Sequence, residues 1–236
     1  MTLTSKPLSQ MKWRLFFEDN LNVVTFFTLL LIALLVLAVN TVFLMYAEVQ
    51  DGHIIDDWLL KYINPMDVSY YLFGVTYAAM VLGIGNAFKS PHKAQWVILT
   101  TIFIVIMRMM TMFCLPLEPP DGIIPLRDPF LEYTFYHGDV ITRDLFFSGH
   151  TASIFSLALI VENRKMKIFL LISTGIVAFL LLLQHVHYTV DILAAIPFSM
   201  FAVWMARKTL DKIIDFQISL KTHRFAKNHI RQKRKS

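Results

Sequence analysis

Apolar residues form long runs along this chain, and polar residues are concentrated in the short stretches between them. The runs lie at about 21–47, 68–87, 95–115, 145–164, 168–187 and 190–206. A hydrocarbon core about 30 Å thick requires roughly 20 apolar residues per crossing helix. The pattern therefore predicts an all-α membrane protein with six transmembrane helices. The fourth run reaches that length only if Leu145, Phe146 and Phe147 enter the membrane with it.

The composition supports a membrane protein. Of the 236 residues, 56% are hydrophobic and 17% are charged, whereas about 25% are charged in an ordinary soluble domain. The first apolar run is too long for a secretory signal peptide, and Glu18 and Asp19 precede it. The only cysteine, Cys114, excludes an intrachain disulfide. We therefore expect one integral membrane domain.

The distribution of Lys and Arg predicts the orientation, because cytoplasmic loops are enriched in both. With the N-terminus in the cytoplasm, 18 of these residues lie inside and three lie outside. We therefore expect both termini to be cytoplasmic. The chain then divides into a cytoplasmic interfacial segment (1–20), a six-span membrane domain (21–206) and a basic cytoplasmic tail (207–236). Such tails serve topology and contact with anionic lipids, and a net charge of +5 alone does not indicate nucleic-acid binding.

Two polar motifs interrupt the apolar pattern: Ser-Gly-His-Thr at 148–151 and His-Tyr-Thr-Val-Asp at 187–191. Ionisable groups at membrane depth are costly, so they indicate a functional site. At about 1.5 Å per helical residue, Arg108, His150 and Asp191 lie about 22–24 Å from the cytoplasmic ends of their spans, and His187 lies about 30 Å from its own. Four helices thus bring Arg, His, Asp and His to one layer in the outer half of the membrane.

The chemistry of these residues suits phosphoryl transfer through a histidine. His187 and Asp191 are four residues apart, so they either share a helical face or lie on the two sides of the turn between spans five and six. In both geometries the carboxylate fixes the imidazole tautomer and leaves the other nitrogen free to attack. Ser148 and Gly149 precede a helix whose N-terminal amides form an anion site, and glycine allows a close backbone approach.

An outer loop at 116–144 carries five prolines and several aromatic residues. Loops of this length in compact proteins are usually functional or disordered. We interpret the loop as a lid over the site.

Three segments resemble the motifs of the sphingomyelin synthase family, within the type-2 phosphatidic acid phosphatase superfamily. The sequence at 143–151, Arg-Asp-Leu-Phe-Phe-Ser-Gly-His-Thr, is similar to the first signature motif, and His-Val-His-Tyr-Thr-Val-Asp at 185–191 is similar to the second. The segment from Arg108 to Pro116 resembles an upstream motif on the third span. The resemblance covers roughly 108–195, and we expect a short member without an extra N-terminal domain.

The resemblance implies a mechanism without a metal or other cofactor. His187 would take the phospho-headgroup as a phosphohistidine, Asp191 would orient it, and His150 would protonate the departing lipid alcohol and then deprotonate the incoming one. The donor would be a glycerophospholipid, and the acceptor would be a ceramide-type or diacylglycerol-type alcohol. The active site of this multi-pass protein would face the extracytoplasmic (periplasmic or lumenal) side. Its partners would be membrane lipids, and self-association into a homo-oligomer stays open.

The sequence departs from the family pattern at two positions. The phosphatases of the superfamily carry an Arg six residues before the nucleophile, where this chain has Leu181. Sphingomyelin synthases share this loss, which favours a transferase. Those enzymes usually have Cys-Gly-Asp where this chain has Thr-Arg-Asp at 142–144. Because of this difference, the resemblance does not predict which headgroup the protein transfers.

Further residues are candidates for contact with phosphate or substrate, each with a structural alternative. Arg108 could bind phosphate or pair with an outer-loop acid. The other candidates are Arg143, Asp144, Ser148, Gly149 and His185. A His-x-His pair also suggests a metal site, but no third ligand stands at metal-site spacing, so we expect no metal.

Two other functions stay open: a lipid phosphate phosphatase with water as acceptor, and a transporter or lipid-binding scaffold.

Overall fold

The computed structural model describes residues 12–126 and 141–233, with side chains described as far as residue 223. Within these residues, the regular structure consists of seven α-helices and one short 3-10 helix at Leu60–Tyr62. The α-helices are α1 (Trp13–Phe17), α2 (Asn20–Glu48), α3 (Ser69–Ala87), α4 (Pro91–Cys114), α5 (Gly149–Ile160), α6 (Arg164–Leu183) and α7 (Thr189–Lys233).

Four of the described helices are long and apolar enough to cross a membrane: α2, α4, α6 and the part of α7 at Thr189–His223. The helix α5 is apolar but has only 12 residues, and α3 has 19 residues. The structure thus supports an all-α membrane protein with four candidate spans. The six-span plan and the orientation of the termini stay predictions.

The short helix α5 is the centre of the bundle and packs against α3, α4, α6 and α7. A helix that is apolar all round is buried when other helices surround it, and Ala152, Ile154 and Ala158 have no exposed surface. The helix α3 approaches closely at Gly83, where an added Cβ would lie 3.0 Å from Leu157 and 3.2 Å from Leu170.

The helix of the fourth apolar run begins where the Ser-Gly-His motif predicted a helix N-terminus. Residues 145–147 are not helical, and α5 begins at Gly149. The Ser148 side chain caps this helix by accepting a hydrogen bond from the Thr151 amide at 3.4 Å. The cap explains why the helix begins here, because a Ser Oγ satisfies an amide that has no intrahelical acceptor.

The predicted boundary between the membrane domain and the tail, at residue 206, does not coincide with the end of a helix. The helix α7 continues without interruption from Thr189 to Lys233. Its second half packs beside the start of α2, where Gln217 Nε2 donates to Thr25 Oγ1 at 2.7 Å and Lys221 pairs with Asp19. Apolar contacts at Leu210 add to this packing, so the tail is held to the bundle as far as these contacts extend.

The helices alternate in direction, which gives the bundle two ends. The acidic end comprises residues 49–68, 115–126, 141–148 and 184–188, which are joined to one another by hydrogen bonds such as Met66 N to Leu183 O at 2.9 Å and Ile124 N to Gln184 O at 3.1 Å. The basic end comprises α1, residues 88–90 and 161–163, and the second half of α7. There, Lys93 pairs with Glu162 at 2.8 Å.

Candidate active site

His187 and Asp191 form a buried pair at the acidic end. Since α6 ends at Leu183 and α7 begins at Thr189, the pair lies on the two sides of the helix start, one of the two geometries that the sequence left open. His187 Nδ1 lies 3.3 Å from Asp191 Oδ2. The His187 residue is 2% exposed and Asp191 is 0% exposed. A carboxylate in this position fixes the proton on Nδ1, so Nε2 is the nitrogen suited to attack.

The backbone holds Asp191 in place from two directions. The Tyr188 amide donates to Asp191 Oδ2 at 3.0 Å, and the Ser148 amide donates to the Asp191 carbonyl at 3.1 Å. The second bond joins the start of α7 to the residue before α5. The histidine pair therefore lies beside the N-terminus of α5, where backbone amides favour an anion.

Arg108 extends from α4 to the same N-terminus. Its Nε donates to the Phe147 carbonyl at 2.9 Å, and its Nη2 pairs with Asp144. The guanidinium lies directly against Gly149, where an added Cβ would be only 2.5 Å from Nη1. A side chain at 149 would therefore have to displace the guanidinium. The pairing with Asp144 is the structural alternative that the sequence left open for Arg108.

His150 lies in the first turn of α5, one residue after the Gly149–Arg108 contact. It is half-buried, and its ring packs edge-on against Phe73 of α3 with ring centroids 6.4 Å apart. The structure thus connects Arg108, Asp144 and the 148–150 segment with His187 and Asp191 through contacts among α4, α5 and α7. The depth of these residues in a membrane stays a prediction.

Two predicted substrate residues have protein partners instead. Arg143 pairs with Glu118 at 2.8 Å and donates to the Gln50 carbonyl. Both His185 ring nitrogens lie near backbone carbonyls, Nδ1 at 2.8 Å from Asp121 O and Nε2 at 2.9 Å from Ile63 O. These contacts join loops of the acidic end, so the geometry favours structural roles over the predicted phosphate contacts.

Sequence reasoning missed several residues that position the site. Asp57 accepts the Thr189 amide at 2.6 Å and its hydroxyl at 3.0 Å, and so caps α7 two residues after His187. Burial raises the pKa of Asp57, but hydrogen bonds from Thr189, Leu60 and Leu59 outweigh it, and the net pKa lies below 3.8. The Tyr188 hydroxyl donates to the Glu118 carbonyl at 3.0 Å. The acidic residues between α2 and α3 were visible in the sequence, but these partners were not.

The predicted lid falls largely on residues 127–140, which lie outside the described residues. Its described flanks belong to the acidic end. On the first flank, Pro116 O accepts the His53 amide at 2.9 Å. On the second, Thr142 and Arg143 donate their amides to the Glu48 carboxylate at 3.0 Å each.

These contacts define a class of site: a buried imidazole–carboxylate pair beside a helix N-terminus and a guanidinium, within an apolar helical bundle. Residues 143–208 match the family model of the PAP2 superfamily C-terminal domain. The match spans α5, α6 and the start of α7, and it includes Asp144, Ser148, Gly149, His150, His187 and Asp191 but not Arg108. It supports the type-2 phosphatidic acid phosphatase superfamily, a group of integral multi-pass membrane enzymes with lipid phosphatase and phosphotransferase chemistry. No curated protein matches the chain.

Proposed function

We propose that this protein is a phospholipid headgroup phosphotransferase similar to sphingomyelin synthases. It would move a phospho-alcohol from a glycerophospholipid to a ceramide-type or diacylglycerol-type alcohol. The observation that carries the proposal is the His187–Asp191 pair, whose 3.3 Å contact is buried beside the α5 N-terminus. Neither residue type is common inside an apolar bundle without a function.

In the first half-reaction, His187 Nε2 attacks the phosphorus of the donor lipid. The new N–P bond forms as the P–O bond to the diacylglycerol oxygen breaks, and the phospho-alcohol stays on the histidine. Asp191 accepts a hydrogen bond from Nδ1–H and stabilises the positive charge that develops on the ring, as the carboxylate does in other histidine-based sites.

His150 serves as the acid and then as the base. It protonates the departing diacylglycerol oxygen, and in the second half-reaction it removes the proton from the acceptor hydroxyl. That oxygen attacks the phosphorus, and the N–P bond breaks to regenerate His187. The position of His150 in the first turn of α5, next to Gly149, supports this role.

Arg108 and the α5 N-terminus would stabilise the phosphate. Donors already directed at the developing charge need no reorganisation during the reaction. The guanidinium lies against Gly149 while its Nη2 pairs with Asp144. In this arrangement Asp144 positions the guanidinium through a bond to one nitrogen.

The alternative function is a lipid phosphate phosphatase, in which water replaces the acceptor alcohol. Superfamily membership supports both chemistries. Two observations favour transfer: Leu181, at the position where the phosphatases carry Arg, is 0% exposed, and the His187 side chain is only 3% exposed. A site closed to water protects a phosphohistidine from hydrolysis.

Headgroup transfer can be tested with the full chain purified in detergent. We expect labelled phosphatidylcholine or phosphatidylethanolamine, incubated with ceramide or diacylglycerol, to yield a new labelled phospholipid. His187→Ala should abolish the product because it removes the nucleophile. His150→Ala should retain only slow turnover and accumulate labelled protein. His53→Ala is the matched control, since His53 is an exposed histidine at the same end of the bundle.

The outcomes separate the two functions. Release of free phosphate or phospho-alcohol without a new lipid would identify a phosphatase. Unchanged turnover in both His187→Ala and His150→Ala would exclude the histidine mechanism altogether.

We also propose six membrane crossings, with α3 and α5 as the two beyond the four candidate spans. In this arrangement the basic end faces the cytoplasm and the acidic end faces the extracytoplasmic side. The positive-inside rule supports it, because Lys89, Lys93 and the α7 tail lie at the basic end. Labelling of single cysteines placed at positions 53 and 89 in sealed vesicles would test the orientation.

A further inference from the structure

Gln184 is a buried glutamine that joins three segments of the acidic end. It directly follows α6 and is 0% exposed. Its Oε1 accepts the Val68 amide at 3.4 Å, and its Nε2 donates to Ser69 Oγ at 2.7 Å and to the Ile124 carbonyl at 3.1 Å. An amide group is costly to bury in an apolar bundle unless it is hydrogen-bonded. Both polar atoms of this side chain have partners, so the glutamine stabilises one arrangement of the three segments.

The turn after Gln184 connects this arrangement to the proposed nucleophile, His187, which is three residues further along the chain. The backbone between them is held at several points. The Val186 amide donates to the Leu181 carbonyl at 3.1 Å. His185 has a φ of 55°, in the left-handed region that residues with a Cβ rarely adopt, and both of its ring nitrogens contact backbone carbonyls of other loops. A shift of Gln184 would therefore move His187.

Ser69 connects the same glutamine to the proposed acid–base residue, His150. Ser69 is the first residue of α3, and Phe73 follows four residues later, on the same face of the helix. The buried Phe73 ring packs edge-on against the His150 ring, with centroids 6.4 Å apart. Gln184 thus holds the end of α6, which leads to His187, against the start of α3, which supports His150.

The proposed mechanism requires the two histidines at a fixed separation. In the first half-reaction His187 attacks the phosphorus while His150 protonates the leaving oxygen, so one phosphate group must reach both rings at once. A misplacement of about 1 Å, caused by a change away from the chemistry, can lower the rate by about 10²-fold. The bond from the Ser148 amide to the Asp191 carbonyl already joins α5 to α7. The contacts of Gln184 add a second link, through α3 and α6.

We propose that Gln184 is a positioning residue, which sets the separation of His150 and His187 by holding the start of α3 to the end of α6. The effect on catalysis rests on the proposed histidine mechanism. The effect on the placement of His150 does not depend on any reaction, so it can be measured separately.

The kinetic test compares Gln184→Leu with wild type on two donor phospholipids. One is the natural lipid, and in the other a sulfur atom replaces the oxygen between phosphorus and glycerol. The sulfur keeps the electron pair of the broken P–S bond and leaves as a thiolate without a proton, so this donor does not need His150 as an acid. Single-turnover release of the leaving group isolates the first half-reaction.

We expect the rate of this step in Gln184→Leu to fall by about 10²-fold with the oxygen donor and by much less with the sulfur donor. The donor concentration at half-maximal rate should stay unchanged. A merely structural role would lower the amount of folded protein, and would therefore lower both rates by the same factor.

Ser69→Ala is the milder variant, because it removes one partner of Gln184 Nε2, and it should give a smaller loss with the same preference. Ser69→Thr keeps the hydroxyl and should retain wild-type rates. Asp67→Asn is one control, since Asp67 is the other partner of the Ser69 hydroxyl. Gln217→Leu is the matched control: Gln217 is a buried glutamine at the basic end that donates to the Thr25 hydroxyl. It should lower the melting temperature without a preference between donors.

A second measurement needs no turnover. In protein labelled with isotopic histidine, the NMR signal of the His150 ring is assigned with His150→Ala and is sensitive to the Phe73 ring beside it. We expect this signal to shift in Gln184→Leu and in Ser69→Ala, and to stay at the wild-type position in Ser69→Thr and Gln217→Leu.

The two measurements separate the inference from the proposed function. A shifted His150 signal in a protein whose wild type transfers no headgroup would support the link through Gln184 and overturn the function. An unchanged His150 signal in Gln184→Leu, or equal losses with the two donors, would overturn the inference while the function stands. Should Gln184→Leu fail to fold, the same comparisons in Ser69→Ala and Ser69→Thr decide.

Discussion

The two ends of the helical bundle are held by different kinds of contact. At the acidic end, side chains bind backbone groups of distant loops: Asp57 binds the Thr189 amide, and the Tyr188 hydroxyl binds the Glu118 carbonyl. At the basic end, ion pairs with exposed members, such as Lys93 with Glu162, whose side chain is 74% exposed, stand beside a few hydrogen bonds such as Gln217 Nε2 to Thr25 Oγ1. Exposed pairs contribute little to stability, typically about 0–1 kcal/mol.

This difference indicates which end of the molecule must hold its side chains in precise positions. A site that transfers a phosphoryl group must hold its groups to within about 0.5 Å, and this requires supporting hydrogen bonds behind the reacting residues. In the proposed orientation, the basic end would only set the topology and contact lipid. Equivalent substitutions at the two ends should therefore have unequal effects on activity, and pairs of variants can test the contrast.

The largest contrast should come from Asp191→Asn and Asp211→Asn, two changes of the same kind on α7. Asn at 191 can still accept the Tyr188 amide but can select the wrong His187 tautomer. We expect kcat to fall by about 10³–10⁴-fold, as when the carboxylate of a histidine-based triad is neutralised. Asp211 is exposed at the basic end, so its variant should keep wild-type turnover in the headgroup-transfer assay. Equal losses in both variants would refute the contrast.

A smaller contrast is expected for Arg108→Lys and Arg207→Lys. Lysine keeps the charge of Arg108 but cannot bond the Phe147 carbonyl and Asp144 together while it also lies against Gly149. We expect a fall of about 10²-fold in kcat, the order seen when one preorganised donor is lost. Arg207 lies over the Trp96 ring at 5.5 Å, so its variant should lose a little thermal stability and no activity. If Arg108→Lys retained full activity, the guanidinium would have no role in the site.

The sequence predicted the convergence of the site well because two simple rules governed it. Helical rise set the depth of Arg108 and His150, and the four-residue spacing set the reach between His187 and Asp191. Both rules depend only on local geometry. In the structure α4, α5 and α7 pack against one another, so Arg108 lies against Gly149 and the Ser148 amide binds the Asp191 carbonyl.

The sequence could not predict the partners of the loop residues. Arg143 and His185 were reasonable phosphate ligands by type, but their partners are Glu118 and backbone carbonyls of loops far away along the chain. Such contacts depend on how the loops fold over the bundle, and no periodicity encodes this. The contribution of residues 145–147 to the fourth apolar run was also unpredictable: these residues are not helical, and their apolar character reflects burial in the protein, with Phe147 0% exposed.

The smallest contrast concerns acid stability and compares Asp57→Asn with Asp19→Asn. Burial raises the pKa of each carboxyl, but hydrogen bonds outweigh it, and both values lie below 3.8. A lowered pKa in the folded state means that the carboxylate stabilises the fold above its unfolded pKa and loses this effect as the pH falls through the folded value.

Each asparagine variant should therefore melt below wild type at neutral pH, by about 2–4 °C for a loss near 1 kcal/mol, and the difference should shrink below about pH 3.8. Added salt should affect the two variants differently. Asp19 pairs with the charged Lys221, so its contribution should weaken in 1 M salt, whereas the donors to Asp57 are neutral amides and a hydroxyl. A melting difference for Asp57→Asn that salt removed would show that the acidic end depends on charge pairs after all.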